Sequence, residues 1–134
     1  MMANIAMYAQ SNILNYNLRG TTTAAPAAWG ISLSLGSPTT VSGSEMSTSN
    51  ISTRQSGLFA AATTVAGSAY CSNTSSAAWS SVSAASISGL VIWDTMLSNN
   101  SGNMLWYGTL AAPRTLSAGD AIVIAVGALT CALA

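Results

Sequence analysis

Ile87-Ser88-Gly89-Leu90-Val91-Ile92-Trp93-Asp94, the cluster Ser98-Asn99-Asn100-Ser101-Gly102-Asn103, and the return run Met104-Leu105-Trp106-Tyr107-Gly108-Thr109-Leu110 decide the fold of this chain. A β-branched apolar run closed by an acid, a stretch of turn-forming residues and a second apolar run together read as a β-hairpin. Upstream, Trp29, Ile31, Leu33 and Leu35 alternate with Gly30, Ser32 and Ser34, the period of a half-buried strand ended by Gly36-Ser37-Pro38. Thr39 to Asn50 reads as a long polar loop containing Glu45. Ser52 to Ala62 is expected as a strand, and Tyr70 to Trp79 as a weaker one interrupted by Asn73-Thr74-Ser75-Ser76. Downstream, Ala112-Pro113 is expected to end the return strand, and Ser117-Ala118-Gly119-Asp120 to turn the chain. Ala121 to Val126 follows as a buried strand, and Leu129, Cys131 and Leu133 alternate after a bend at Gly127-Ala128. Six to eight short strands with closely spaced turns predict a mainly β fold, an antiparallel, jelly-roll-like β-sandwich over residues 27–134.

The first twenty residues have a different period. Ile5, Tyr8, Ala9, Ile13 and Tyr16 share one face at helical spacing, with Met7, Leu14 and Leu18 on the other. This predicts a helix over residues 1–20, capped by Asn4 and closed by Arg19-Gly20. Apolar residues on both faces call for two covers: the body of the domain on one side, and a loop or neighbouring subunit on the other. No linker divides the chain, so residues 1–134 are expected to form a single domain.

Composition narrows the function. Half of the 134 residues are hydrophobic and only 4% are charged, with three Arg, three acids, no Lys and no His. A typical soluble domain carries about 25% charge. No basic patch is available for phosphates, so nucleic acid is not an expected partner. No residue set supports a metal or other cofactor. The N-terminus lacks the positive region of a secretory signal. The longest apolar run, from Ala121 to Leu129, falls well short of the roughly 20 residues a membrane helix needs. With 24 Ala, 22 Ser and 14 Thr, the chain is rich in small side chains that lose little rotamer entropy in flat contacts. Weak charge repulsion also favours association, so an assembled state is expected.

Catalysis has little to work with. Only Glu45, Asp94 or Asp120 could act as a base, and Asp94 and Asp120 sit where acids commonly bond turn amides. No enzyme is expected. Trp29, Trp79, Trp93 and Trp106 fall in or beside apolar strands and read as core or interface residues. Arg19, Arg54 and Arg114 read as structural hydrogen-bond donors. Cys71 and Cys131 read as two reduced, buried thiols. The sequons at Asn50, Asn73 and Asn99 carry no expected role.

Several segments taken together resemble a family of small tailed-phage virion proteins. They are Asn12-Ile13-Leu14 through Leu18-Arg19-Gly20, Pro26 through Leu35, Glu45, Arg54, Trp79, Leu105-Trp106-Tyr107-Gly108-Thr109-Leu110-Ala111-Ala112-Pro113-Arg114, and Ser117-Ala118-Gly119-Asp120 through Gly127-Ala128-Leu129-Thr130. The strand after Pro26 departs from the family's tyrosine-led form, reading Trp29-Gly30-Ile31-Ser32-Leu33. The resemblance implies a non-enzymatic virion component and carries no catalytic residue across. Proteins of this kind serve as tail-fibre proteins or as head cement and decoration proteins. The first expectation is a capsid cement protein, a homotrimer on the capsid surface that binds the major capsid protein and stabilises the head. The alternative is a tail-fibre or collar module for host attachment, with the Thr39–Asn50 loop facing the receptor. In either case Ile5, Tyr8, Ile13, Leu14, Tyr16, Leu18 and Arg19 are the expected interface residues.

Overall fold

The computed structural model describes residues 2–46, 53–80, 82–98 and 100–133. In chain order the elements are β1 (Met2–Ile5), α1 (Met7–Arg19), β2 (Gly30–Ser34), β3 (Gln55–Ser56), β4 (Thr63–Val65), β5 (Ser68–Ser72), β6 (Ala77–Trp79), β7 (Ala85–Trp93), β8 (Met104–Leu116), β9 (Ile122–Ile124) and β10 (Thr130–Leu133). The fold is mainly β with one helix, as the strand pattern predicts. Eight strands form one sheet in the order β3-β2-β7-β8-β1-β10-β5-β4, and β6 pairs with β9 in a second. All pairings are antiparallel except β1 with β10.

The predicted hairpin is the centre of the large sheet. β7 and β8 run antiparallel from Trp93↔Met104 back to Ala85↔Leu116. Asp94 closes the hairpin through its carboxylate, which accepts the Asn103 backbone N–H and side-chain amide, both at 2.7 Å. Pro113 does not end β8, contrary to the expectation. The register jumps between Ile87↔Arg114 and Gly89↔Thr109, so Pro113 sits in an irregularity where a missing N–H breaks no regular ladder bond.

The large sheet has two covered faces. On one, Ile31, Leu33, Leu90, Ile92 and Leu105 build the main core, which the small sheet covers with Ala77, Trp79, Ile122 and Ile124. On the other, Val91, Trp93, Met104 and Ala6 form a second cluster. β2 is therefore buried along its whole length, not half-buried. Its serines face the second cluster and are small enough to admit a covering loop. Ser32 Oγ accepts the Trp93 indole N–H at 2.9 Å, and Ser34 Oγ lies 2.6, 2.7 and 3.1 Å from the carbonyls of Gly36, Gly43 and Ser44.

Three other expectations need correction. Residues 2–5 are a strand, not the first turn of the helix, and they pair with β8 and β10 in the interior of the sheet. The helix starts after Ala6, and Asn4, paired with Tyr107 on β8, does not cap it. Of the strand expected from Ser52 to Ala62, only Gln55–Ser56 forms, with a single bridge from Phe59 to Asn73; Ser52 lies outside the described residues. The expected buried strand at Ala121–Val126 is the short β9, where Val123 points outward. Among the described residues β9 pairs only with β6, so its other edge has no strand beside it.

The helix ends as its sequence dictates. Gly20 adopts φ 64°, a left-handed value that suits glycine, and its N–H and that of Thr21 donate to the Tyr16 and Asn15 carbonyls. Interruption of the Tyr70–Trp79 segment is also observed: buried Asn73 donates to the Ser75 and Ala125 carbonyls and accepts the Leu129 N–H.

Candidate interaction surface

Two of the six charged side chains go to the interior. Arg54 pairs bidentately with Glu45, Nε to Oε1 at 2.7 Å and Nη2 to Oε2 at 2.8 Å. Its Nη1 donates to the Thr95 carbonyl at 3.0 Å, and its guanidinium lies 4.1 Å from the centre of the Trp93 ring. Glu45 Oε2 also accepts the Asn100 N–H. Both side chains of the pair are withdrawn from water. The segment from Thr39 to Met46 is thus clamped over the sheet, and a Cβ on Gly43 would come within 2.6 Å of Trp93 Cζ2. Residues 47–50 of the expected receptor-facing loop lie outside the described residues, as do the sequons at Asn50 and Asn99.

The third acid, Asp120, accepts the Ser117 N–H at 2.8 Å and closes its turn. Each of the three carboxylates is therefore engaged with backbone or with Arg54. Among the described residues no cluster of His, Cys, Asp or Glu could hold a metal ion, and no helix is long and apolar enough to cross a membrane.

Apolar side chains, by contrast, remain outside on α1. The helix packs against β8, and Ala9 is its only buried residue. Met7, Leu14 and Leu18, the face opposite Ala9, are 52%, 58% and 78% exposed. Tyr16 and Arg19 are also exposed, although Tyr16 shares its face with the buried Ala9. Ile13 is half-buried. Tyr8 and Met7 line a cleft of about 500 Å³ shared with Thr40–Gly43, Asn100 and Gly102–Met104. Ile5, expected on the helix, sits instead on β1 beside Trp106 and packs against the main core. Six of the seven expected interface residues are therefore on one helix, and five of these carry appreciable exposure.

The four tryptophans divide two and two. Trp79 and Trp93 are buried, and Trp79 donates to the Thr53 carbonyl at 2.9 Å. Trp29 and Trp106 instead line a pocket of about 310 Å³ with Leu58, Phe59, Cys71 and Cys131. The Trp106 Nε1 is buried there without an acceptor in reach. No local pattern in the sequence announces this pocket, because its walls come from six separate segments.

A small β protein whose acids and central arginine serve its own turns and loops, and whose helix carries apolar side chains into solvent, is built as a structural component of something larger. The chain belongs to the family described as Podophage GP4 fiber I protein gp80, whose family model matches residues 4–132. It is accordingly a phage structural protein of a fibre-named virion family. No curated protein matches the chain.

Proposed function

We propose that this chain is a non-enzymatic structural subunit of the tail fibre, held in the virion by the exposed face of α1 against a neighbouring protein subunit. The observation that carries this reading is the ridge Met7, Leu14 and Leu18, turned away from the domain's own core. Complete burial of such a side chain from full exposure contributes about 1.5 to 3 kcal/mol, and covering the part of each that is still exposed would contribute a share of that. The family's fibre description favours the tail over the head. Structural use of all three carboxylates supports the absence of catalysis.

Capsid cement is the competing placement, with the same ridge set on the major capsid protein and the subunits arranged as trimers. The low charge and small side chains suit that packing equally well. Quantitative mass spectrometry of purified particles separates the two readings. A few to a few dozen copies per virion support the fibre; a count in the hundreds, comparable to the capsid lattice, overturns it in favour of cement. Deleting residues 1–20 is not a usable test of attachment, because it would remove β1 from the interior of the sheet. Point substitutions on the outer face of α1 leave that strand intact.

A further inference from the structure

We propose that Cys71 and Cys131 are a paired oxidation site, closing to an intrachain disulfide when a small-molecule disulfide reaches them through the pocket beside Trp29 and Trp106. Cys131 on β10 is the direct register partner of Cys71 on β5. Opposed residues of an antiparallel pair have Cα atoms about 4.5 or 5.5 Å apart, both inside the range a disulfide spans. Both cysteines are free and both line the same pocket. Its rim includes the partly exposed Trp29 and Leu58, so a solute can enter.

The two thiols differ in access. Cys71 is half-buried and Cys131 buried, which makes Cys71 the first to react. Its thiolate attacks one sulfur of oxidised glutathione, forming a mixed disulfide and releasing one glutathione. Cys131 then gives its proton to solvent and attacks the Cys71 sulfur, expelling the second glutathione. Two protein thiols lose two hydrogens, and one glutathione disulfide becomes two thiols. Burial raises the pKa of both groups, Cys131 to about 12, so the reaction is slow at neutral pH and accelerates in alkali. A chain made in a reducing cytosol would keep its thiols, and one exposed in a released particle would gain the bridge. The bond would staple β10 to β5, fixing the terminal strand that also pairs with β1.

The test uses the whole protein, incubated with oxidised glutathione at mildly alkaline pH and quenched with N-ethylmaleimide. Trypsin cuts this lysine-free chain after Arg54 and Arg114, which places Cys71 and Cys131 on different peptides. The expected result is a single linked peptide pair in monomeric protein, no maleimide on either cysteine, and a melting temperature raised by roughly 10 °C. In Cys131→Ser, Cys71 should instead retain a stable glutathione adduct that the wild type does not keep. Persistent glutathione on the wild type, a link between two chains, or thiols that stay free after the urea-unfolded protein has reacted would each overturn the proposal.

Discussion

The clamp around Arg54 and the helix α1 assign charge and apolarity in opposite senses. At the clamp, an ion pair is buried and every polar partner is supplied: Glu45 takes Arg54 and the Asn100 amide, and Thr95 takes the remaining guanidinium edge. On the helix, Leu14 and Leu18 stand largely in solvent, and Met7 is half exposed at the edge of a cleft. A chain with six charged side chains that buries two of them is using charge to fix its own loop geometry, not its solubility. The interior is complete within one chain, and the helix is not.

This contrast can be broken at several points. The largest effect is expected at the clamp. Arg54→Met leaves Glu45 buried without its cation and should cost about 3 to 5 kcal/mol in urea unfolding. Adding Glu45→Gln to that variant should recover part of the loss, since the uncompensated charge is gone. Next is Gly30→Ala: a Cβ there presses on the Thr95 carbonyl oxygen and comes within 2.8 Å of Arg54 Cδ. Because the backbone cannot yield, this should cost about 2 to 3 kcal/mol by the same assay.

A smaller effect is expected in alkali. Burial and the facing Cys71 push Cys131 up to about 12 from its ordinary 9.0, so between those values the unfolded chain loses a proton that the native chain keeps. The stability from this group is intact below pH 9 and falls as the pH rises toward 12, by about 1 kcal/mol at pH 10. Cys131→Val should flatten that slope in reduced protein melted across the range. The smallest stability effect belongs to the helix: Leu14→Ser with Leu18→Ser should shift unfolding by no more than about 0.5 kcal/mol, because neither side chain packs on the core.

The central hairpin is legible because its signals are local: an apolar run ending in Leu90–Trp93, a turn cluster, and a second apolar run from Met104. Residues 2–5 were misread for the opposite reason. Ile5 fits the helical spacing of Tyr8, Ala9 and Ile13, and only pairing with residues more than a hundred positions away makes it a strand. Ser32 and Ser34 have the polarity of a solvent face; the Trp93 indole that donates to Ser32 and the loop carbonyls that meet Ser34 are invisible in their spacing. Glu45 and Arg54 carry no sign of their pairing, since a salt bridge is a property of the folded path. Of the candidate surface, spacing shows two apolar faces on α1 but not which one meets the body; Met7, Leu14 and Leu18 lie opposite the buried Ala9. Tyr16 shares a face with Ala9, yet it is exposed where Ala9 is buried, a difference that spacing alone does not carry.

The most direct measurement compares assembly of wild type with the Leu14→Ser, Leu18→Ser double variant, each supplied in trans to particles lacking this protein and quantified after purification. Since the two proteins should melt within a degree or two of each other, a variant lost from particles while wild type is taken up would place the attachment on the outer face of α1. Equal uptake of a stably folded variant would contradict that assignment.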